Sequence, residues 1–159
     1  MVNEKIIYRL DGGKKLGYGH IHRAIELRKF LIKKFDVKFV ITRESSGFSY
    51  LKKKTKNVIF LNKNFFLDKL IDSQTKAIIY DTVFLSQREL IRIKKNKIKI
   101  IALEDFQKIS NNYANLIINA IVSGNKSKFY KIKNGEKYTG SKYKVFKTNI
   151  ENYKKKLSK

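Results

Sequence analysis

A single α/β domain built on a parallel β-sheet, with helices on both faces, is what this sequence predicts. Three observations carry the expectation. Short β-branched apolar runs alternate with amphipathic runs of helical period, and the first apolar run ends in a glycine-rich loop that opens a helix. The chain also has 159 residues, enough for one core and too few for two comfortable ones.

The elements follow in order. "KIIYRL", Lys5 to Leu10, is short, rich in β-branched residues and followed by glycines, the pattern of a buried first strand. "HIHRAIELRKFLIKKF" places Ile21, Ala24, Leu27 and Leu31 at steps of three and four, one apolar face of a helix. "VKFVIT" then reads as the second strand, "VIFL" as the third, "FFLDKLIDS" as a short helix and "KAIIYD" as the fourth strand. "LSQRELIRIKKN" has the helical period again, "IKIIAL" is a fifth strand and "NLIINAIV" a sixth. Strands joined through helices run parallel, because each crossover carries the chain back to the edge where the previous strand began. The expected architecture is Rossmann-like.

Composition excludes several chemistries. Cysteine is absent, so there are no disulfides, thiolate nucleophiles or cysteine zinc sites. No apolar run reaches the roughly 20 residues that span a bilayer, and the opening "MVNEKIIYRL" lacks the charged-then-apolar order of a signal peptide, so a cytoplasmic protein is expected. The net charge of +24 suits non-specific attraction to nucleic acid or to an anionic membrane. The lysines are, however, interleaved with Ile, Asn, Phe and Tyr along the whole chain, which is also how the solvated faces of a lysine-rich composition look. They are densest from Gly124 to Lys159, where twelve Lys stand against Glu136 and Glu151. The aromatics of that stretch, among them Phe129, Tyr130, Tyr138, Tyr143, Phe146 and Tyr153, suit either stacking on RNA bases or the edge of a core.

In a parallel sheet ligands sit outside the carboxyl ends of the strands, and the loop after the first strand is a favoured place. Here that loop lies in "YRLDGGKKLGYGHIHR", residues 8 to 23, with four glycines and both histidines of the chain. It is not a P-loop, since Gly12 to Gly17 is followed by Tyr18 and Gly19 where Lys and Ser/Thr are needed. Nor is it the dinucleotide fingerprint. His22 stands where the third glycine belongs, although Glu44 lies near the place of a ribose-binding acid. No cofactor is expected. What remains is a run of backbone N–H groups, Gly17 to His20, at a helix N-terminus that favours an anion or a developing negative charge. The positive end of a helix dipole disfavours an imidazolium, and a neutral imidazole at His20 can take a proton from water. His22 is two residues on, about 200° round the helix, so the two rings cannot chelate one metal and no metal site is expected. The alternative is that His20 caps the helix.

The same residues carry a resemblance. R-x-D-G-G-x-x-x-G-x-G-H-x-x-R, read from Arg9 through Asp11, Gly12, Gly13, Gly17, Gly19 and His20 to Arg23, resembles the N-terminal motif of the PseG/SpsG family. That family comprises UDP-sugar hydrolases of pseudaminic acid biosynthesis and spore coat polysaccharide proteins, related to MurG and the GT-B glycosyltransferases. Further pieces resemble it in order: "IIYD" ending at Asp81, "IIALEDF" with Glu104 and Asp105, "ANLIIN" ending at Asn119, and "GSKYKVFKTNI" from Gly140. The last departs from the family pattern at Ser141, Lys142, Lys147 and Thr148.

The resemblance implies the N-terminal half of a GT-B fold, with residues 1–150 as that domain and 151–159 as a basic tail. The family's second half, which supplies most contacts to the uridine diphosphate, is expected to be absent from this chain, which is then half of a split enzyme completed by a separate chain, a truncated piece of a longer protein, or a stand-alone descendant with another task. The implied chemistry is attack of water at the anomeric carbon of a nucleotide-linked sugar, with release of UDP and no metal. By the same resemblance His20 and Asp11 are catalytic, and Gly17, Tyr18, Gly19, Arg23, Asp81 and Asn119 bind substrate. Read as residues alone, Asp11 is also a turn former, Asp81 and Asn119 also strand-end caps, and Arg23 also a surface ion-pair partner. Two other classes remain open at this level: a non-catalytic or membrane-associated subunit of a bipartite glycosyltransferase, and a basic RNA-binding module.

Overall fold

The computed structural model of the chain describes residues 4–42, 46–61, 66–82, 86–103, 112–120 and 135–145. The strands are β1 (Lys5–Leu10), β2 (Asp36–Thr42), β3 (Val58–Leu61), β4 (Thr75–Asp81), β5 (Lys99–Leu103), β6 (Leu116–Asn119) and β7 (Glu136–Thr139). The α-helices are α1 (Gly19–Leu31), α2 (Phe48–Lys54) and α3 (Gln87–Lys95), with 3-10 turns at Leu67–Leu70 and Ser141–Tyr143. The strands form one sheet in the order β3-β2-β1-β4-β5-β6-β7, and every pairing is parallel. The predicted Rossmann-like parallel sheet with helices on both faces is what the chain forms.

Strand parity sorts the core. Ile6, Tyr8 and Leu10 of β1, Phe39 and Ile41 of β2 and Ile79 of β4 pack with Ile21 and Ala24 of α1 and Leu51 of α2. The alternate residues Ile7, Val40, Ile78 and Tyr80 pack on the other face with Leu90 and Ile93 of α3 and with Leu67. Both faces of β1 are therefore covered, which explains why all six of its residues are buried, Lys5 and Arg9 included. Lys5 is satisfied by the Leu70 carbonyl at 3.0 Å and by the Asp72 carboxylate. Helix α3 starts at a capping signal that the sequence holds in plain view, Ser86 accepting from the Glu89 amide at 3.4 Å.

The differences from expectation are local. Helix α2 has no counterpart in the sequence pattern: "FSYLKKK" buries only Leu51 and is too short to show a period. The "FFLDKLIDS" helix is a single 3-10 turn. Helix α1 stops at Leu31 rather than Phe35, the chain turning through 32–35 into β2. A seventh strand, β7, extends the sheet; "EKYT" alternates exposed and half-buried residues at an edge and carries no apolar run. Residues 146–159, with the basic tail, lie outside the described residues, as do Glu44, Glu104, Asp105, Phe129 and Tyr130.

Candidate functional site

The strand order reverses direction between β1 and β4, so the crevice of the sheet opens at their carboxyl ends. The glycine loop and Asp81 lie there. Leu10, the last residue of β1, pairs in register with Asp81, the last of β4. Parity then points Asp81 to the face that α1 covers, together with Tyr8.

Glycines shape the loop. Gly13 and Gly17 form an isolated bridge, Gly13 N donating to Gly17 O at 2.8 Å, with φ of +145° and +77° that side chains rarely adopt. Gly12 lies against the helix, since a Cβ there would sit 2.8 Å from Ile21 Cγ1. Gly47, at the start of α2, donates its amide to the Gly12 carbonyl at 3.2 Å, and Ser46 Oγ accepts from Lys14 N at 2.5 Å. The open end of the loop is Gly17 and Gly19, where an added Cβ would meet nothing within 4 Å.

His20, in the first turn of α1, does not cap it. Tyr18 is the N-cap residue and no side chain bonds the helix amides there. Instead His20 Nδ1 lies 2.5 Å from Asp81 Oδ1. Arg23, one turn on, donates from Nε to Asp81 Oδ2 at 2.8 Å and from Nη2 to Oδ1 at 2.5 Å, while the Tyr8 hydroxyl donates to Oδ2 at 2.9 Å. Arg23 Nη2 is also 3.0 Å from His20 Nδ1. Because an ionised carboxylate only accepts, Nδ1 beside Asp81 carries the ring proton and cannot also accept from Arg23, so the two nitrogens are neighbours held by one carboxylate rather than partners of each other. Donation of Nδ1–H to Asp81 leaves Nε2 of a neutral ring as the proton acceptor. The Asp81 side chain is fully buried, that of His20 19% exposed and that of Arg23 12%. Burial pushes the Asp81 carboxyl up, but hydrogen bonds from Arg23 and His20, aided by the Arg23 charge, outweigh it and hold the group below the usual carboxylate range. Burial and the adjacent Asp81 push the Tyr8 hydroxyl well above its ordinary value, so it stays a donor.

The other expected residues fall differently. Asp11 is not the partner of the imidazole: its oxygens receive Arg9 Nη1 at 2.9 Å and the Thr82 hydroxyl at 2.7 Å. That cluster belongs to the α3 side of the sheet, where the Tyr80 hydroxyl donates to Glu89 at 2.8 Å. Burial raises the Glu89 carboxyl despite that bond. Asp81, expected to meet substrate, spends both oxygens on the protein and positions His20 from below. Asn119 ends β6, buried, with the parity of Ile117 and so on the α3 side, across the sheet from His20. Tyr18 packs edge-on against Tyr50, 5.7 Å between centroids, and His22 does the same at 5.6 Å. His22 is thereby turned away from Asp81. Sequence reasoning did not single out Tyr8 or Gly47; the signal for Tyr8 is its parity with Leu10, useful only once β1 and β4 are known to be neighbours.

Beside Arg23 an apolar cleft of about 150 Å³ opens between α1 and the ends of β5 and β6, lined by Arg23, Leu27, Leu103, Ile118, Ala120, Tyr143 and Val145. Among the described residues no group of His, Asp and Glu side chains is arranged to hold a metal ion, and no helix is long and apolar enough to cross a membrane.

No protein-family model matches the chain. It is 26% identical over 160 aligned residues to the uncharacterized protein MJ1062 of Methanocaldococcus jannaschii, an alignment covering 96% of this chain and 33% of that protein. Among solved structures it is similar to MurG from Acinetobacter baumannii, with a TM-score of 0.57 and 10% identity over 86% of this chain and 44% of MurG. The chain thus spans about a third of the length of its curated relative and under half of MurG. In fold the chain is a Rossmann-like α/β domain similar to MurG, with its glycine loop and His20 at the switch point of the sheet.

Proposed function

We propose that this chain supplies the base-bearing half of a nucleotide-sugar enzyme, a UDP-sugar hydrolase or glycosyltransferase-like protein of surface polysaccharide or nonulosonic acid biosynthesis. The observation that carries the reading is the His20–Asp81 contact at the first turn of α1. Asp81 fixes the ring tautomer and orientation, so that Nε2 takes the proton of the attacking water as its oxygen bonds to the anomeric carbon. The bond from that carbon to the diphosphate breaks with its electron pair, and UDP leaves. The backbone amides at Gly17, Tyr18 and Gly19 face the sugar or diphosphate, since the glycines leave the backbone open to close approach. Arg23 braces Asp81, and Asp11 anchors the start of the loop through Arg9 and Thr82. The GT-B resemblance and the partial coverage of both relatives support a second half that holds the nucleotide, on a separate chain or further along a longer one.

The test is steady-state UDP release by the protein complemented with a candidate second half. His20→Ala should lose on the order of 100-fold or more in turnover, the scale of a positioned general base, with its circular dichroism unchanged. His22→Ala should lose little. Equal turnover for wild type and His20→Ala refutes the assignment. Calorimetry with UDP should give weak or no binding to the chain alone, and micromolar binding would show that the nucleotide contacts are on this half.

A further inference from the structure

The edge of the sheet opposite His20 has a character of its own. In a parallel sheet every crossover helix runs antiparallel to the strands, so the C-terminal ends of α1 and α2, both on the same face, lie at the amino edge. Those ends carry exposed Lys33 and Lys34 after α1 and Lys52, Lys53, Lys54 and Lys56 at and after α2. The acids of this edge are already engaged: Glu4 pairs with Lys76 at 3.1 Å, Asp72 with Lys5, and Asp36 accepts from the Asn57 amide at 2.9 Å. Within the lysines stand Phe30, 62% exposed, and Ile32, 46% exposed. Lysines at helix ends answer the dipole, but the dipole gives no reason to hold an aromatic and an aliphatic side chain in water.

We propose that this corner is a reversible docking surface for an anionic lipid bilayer, with Phe30 and Ile32 entering the interface and the lysines facing the headgroups. The combination of apolar tips and a basic surround is what such an interface selects. Ile32 decides against nucleic acid, because an aliphatic side chain has no face on which a base stacks and gains nothing from phosphate. The central strands β1, β2 and β4 are six or seven residues long, so the carboxyl edge lies roughly 20 Å from the bilayer. The His20 loop then opens to bulk water, as a water-soluble ligand requires. The proposal stands independently of the assigned reaction.

The chain has no tryptophan, so Phe30→Trp installs a single indole reporter at the tip. Its emission should shift to the blue with vesicles of phosphatidylglycerol and phosphatidylcholine, and not with phosphatidylcholine alone. In that background Lys33→Glu with Lys34→Glu should weaken vesicle binding at least tenfold, each lysine near an anionic surface being worth roughly fivefold. Lys142→Glu with Lys144→Glu, the same charge change on exposed residues at the carboxyl edge, should weaken it less than threefold. Absence of a blue shift, equal loss in the two double variants, or a response to RNA without one to vesicles would each overturn the proposal.

Discussion

Replacing Asp81 by asparagine tests the centre of the site without reference to any reaction. The carboxylate receives four hydrogen bonds, from Tyr8, His20 and twice from Arg23, and has no exposed surface. The Asp81→Asn side chain would keep the shape, present an NH₂ to at least one of these donors, and leave the Arg23 guanidinium buried without its counter-charge. Removing one partner of such a pair costs about 3–5 kcal/mol. For a chain of this length that is a fall in Tm of roughly 6–20 °C. The sign of the pH dependence follows from the lowered Asp81 pKa. Ionised Asp81 contributes its stability above the unfolded value of about 3.9, and the contribution is lost as pH falls through the lower folded value. Urea unfolding followed by circular dichroism should therefore show wild type ahead of Asp81→Asn from pH 7 down to about pH 4, the gap closing below. A gap under about 1 kcal/mol at pH 7, or one that persists unchanged into strong acid, would mean that burial wins over Arg23 and His20 and that the carboxyl is protonated in the fold.

Further outcomes follow from the same geometry. Tyr8→Phe removes one hydrogen bond to a charged acceptor and should cost about 1.5–3 kcal/mol in thermal melts, with the fold intact. Gly47→Ala would set a Cβ 2.6 Å from the Gly12 carbonyl and closer still to Ile21, so urea melts should show a loss of roughly 1–3 kcal/mol from overpacking. Glu89, raised by burial, should make stability fall as pH climbs from the ordinary glutamate range through its raised value; Glu89→Gln should flatten that slope, and an unchanged slope would remove Glu89 as its source.

The one-dimensional pattern already contained the succession of the first six strands, the faces of α1 and α3, and the place of the glycine loop. These depend on neighbours a few residues apart, where the period of side chains on a helix or strand is visible directly. It also singled out His20 as a candidate, the imidazole in the first turn of the helix that the glycine loop opens, with helix capping as the alternative. The partner of His20 was another matter. Asp11, nine residues away in sequence, bonds Arg9 and Thr82, while Asp81, 61 residues away, holds the ring. Nothing local distinguishes these two carboxylates at strand ends. The choice was made when β4 paired with β1 in the register that sets Asp81 beside Leu10, on the side that α1 covers. Gly47 against Gly12, Tyr8 beneath Asp81 and Asn119 on the far face were decided in the same way. Local chemistry determines which segments become strands and helices, but the spatial order of the strands and their parity determine which side chains meet, and both are properties of the assembled sheet.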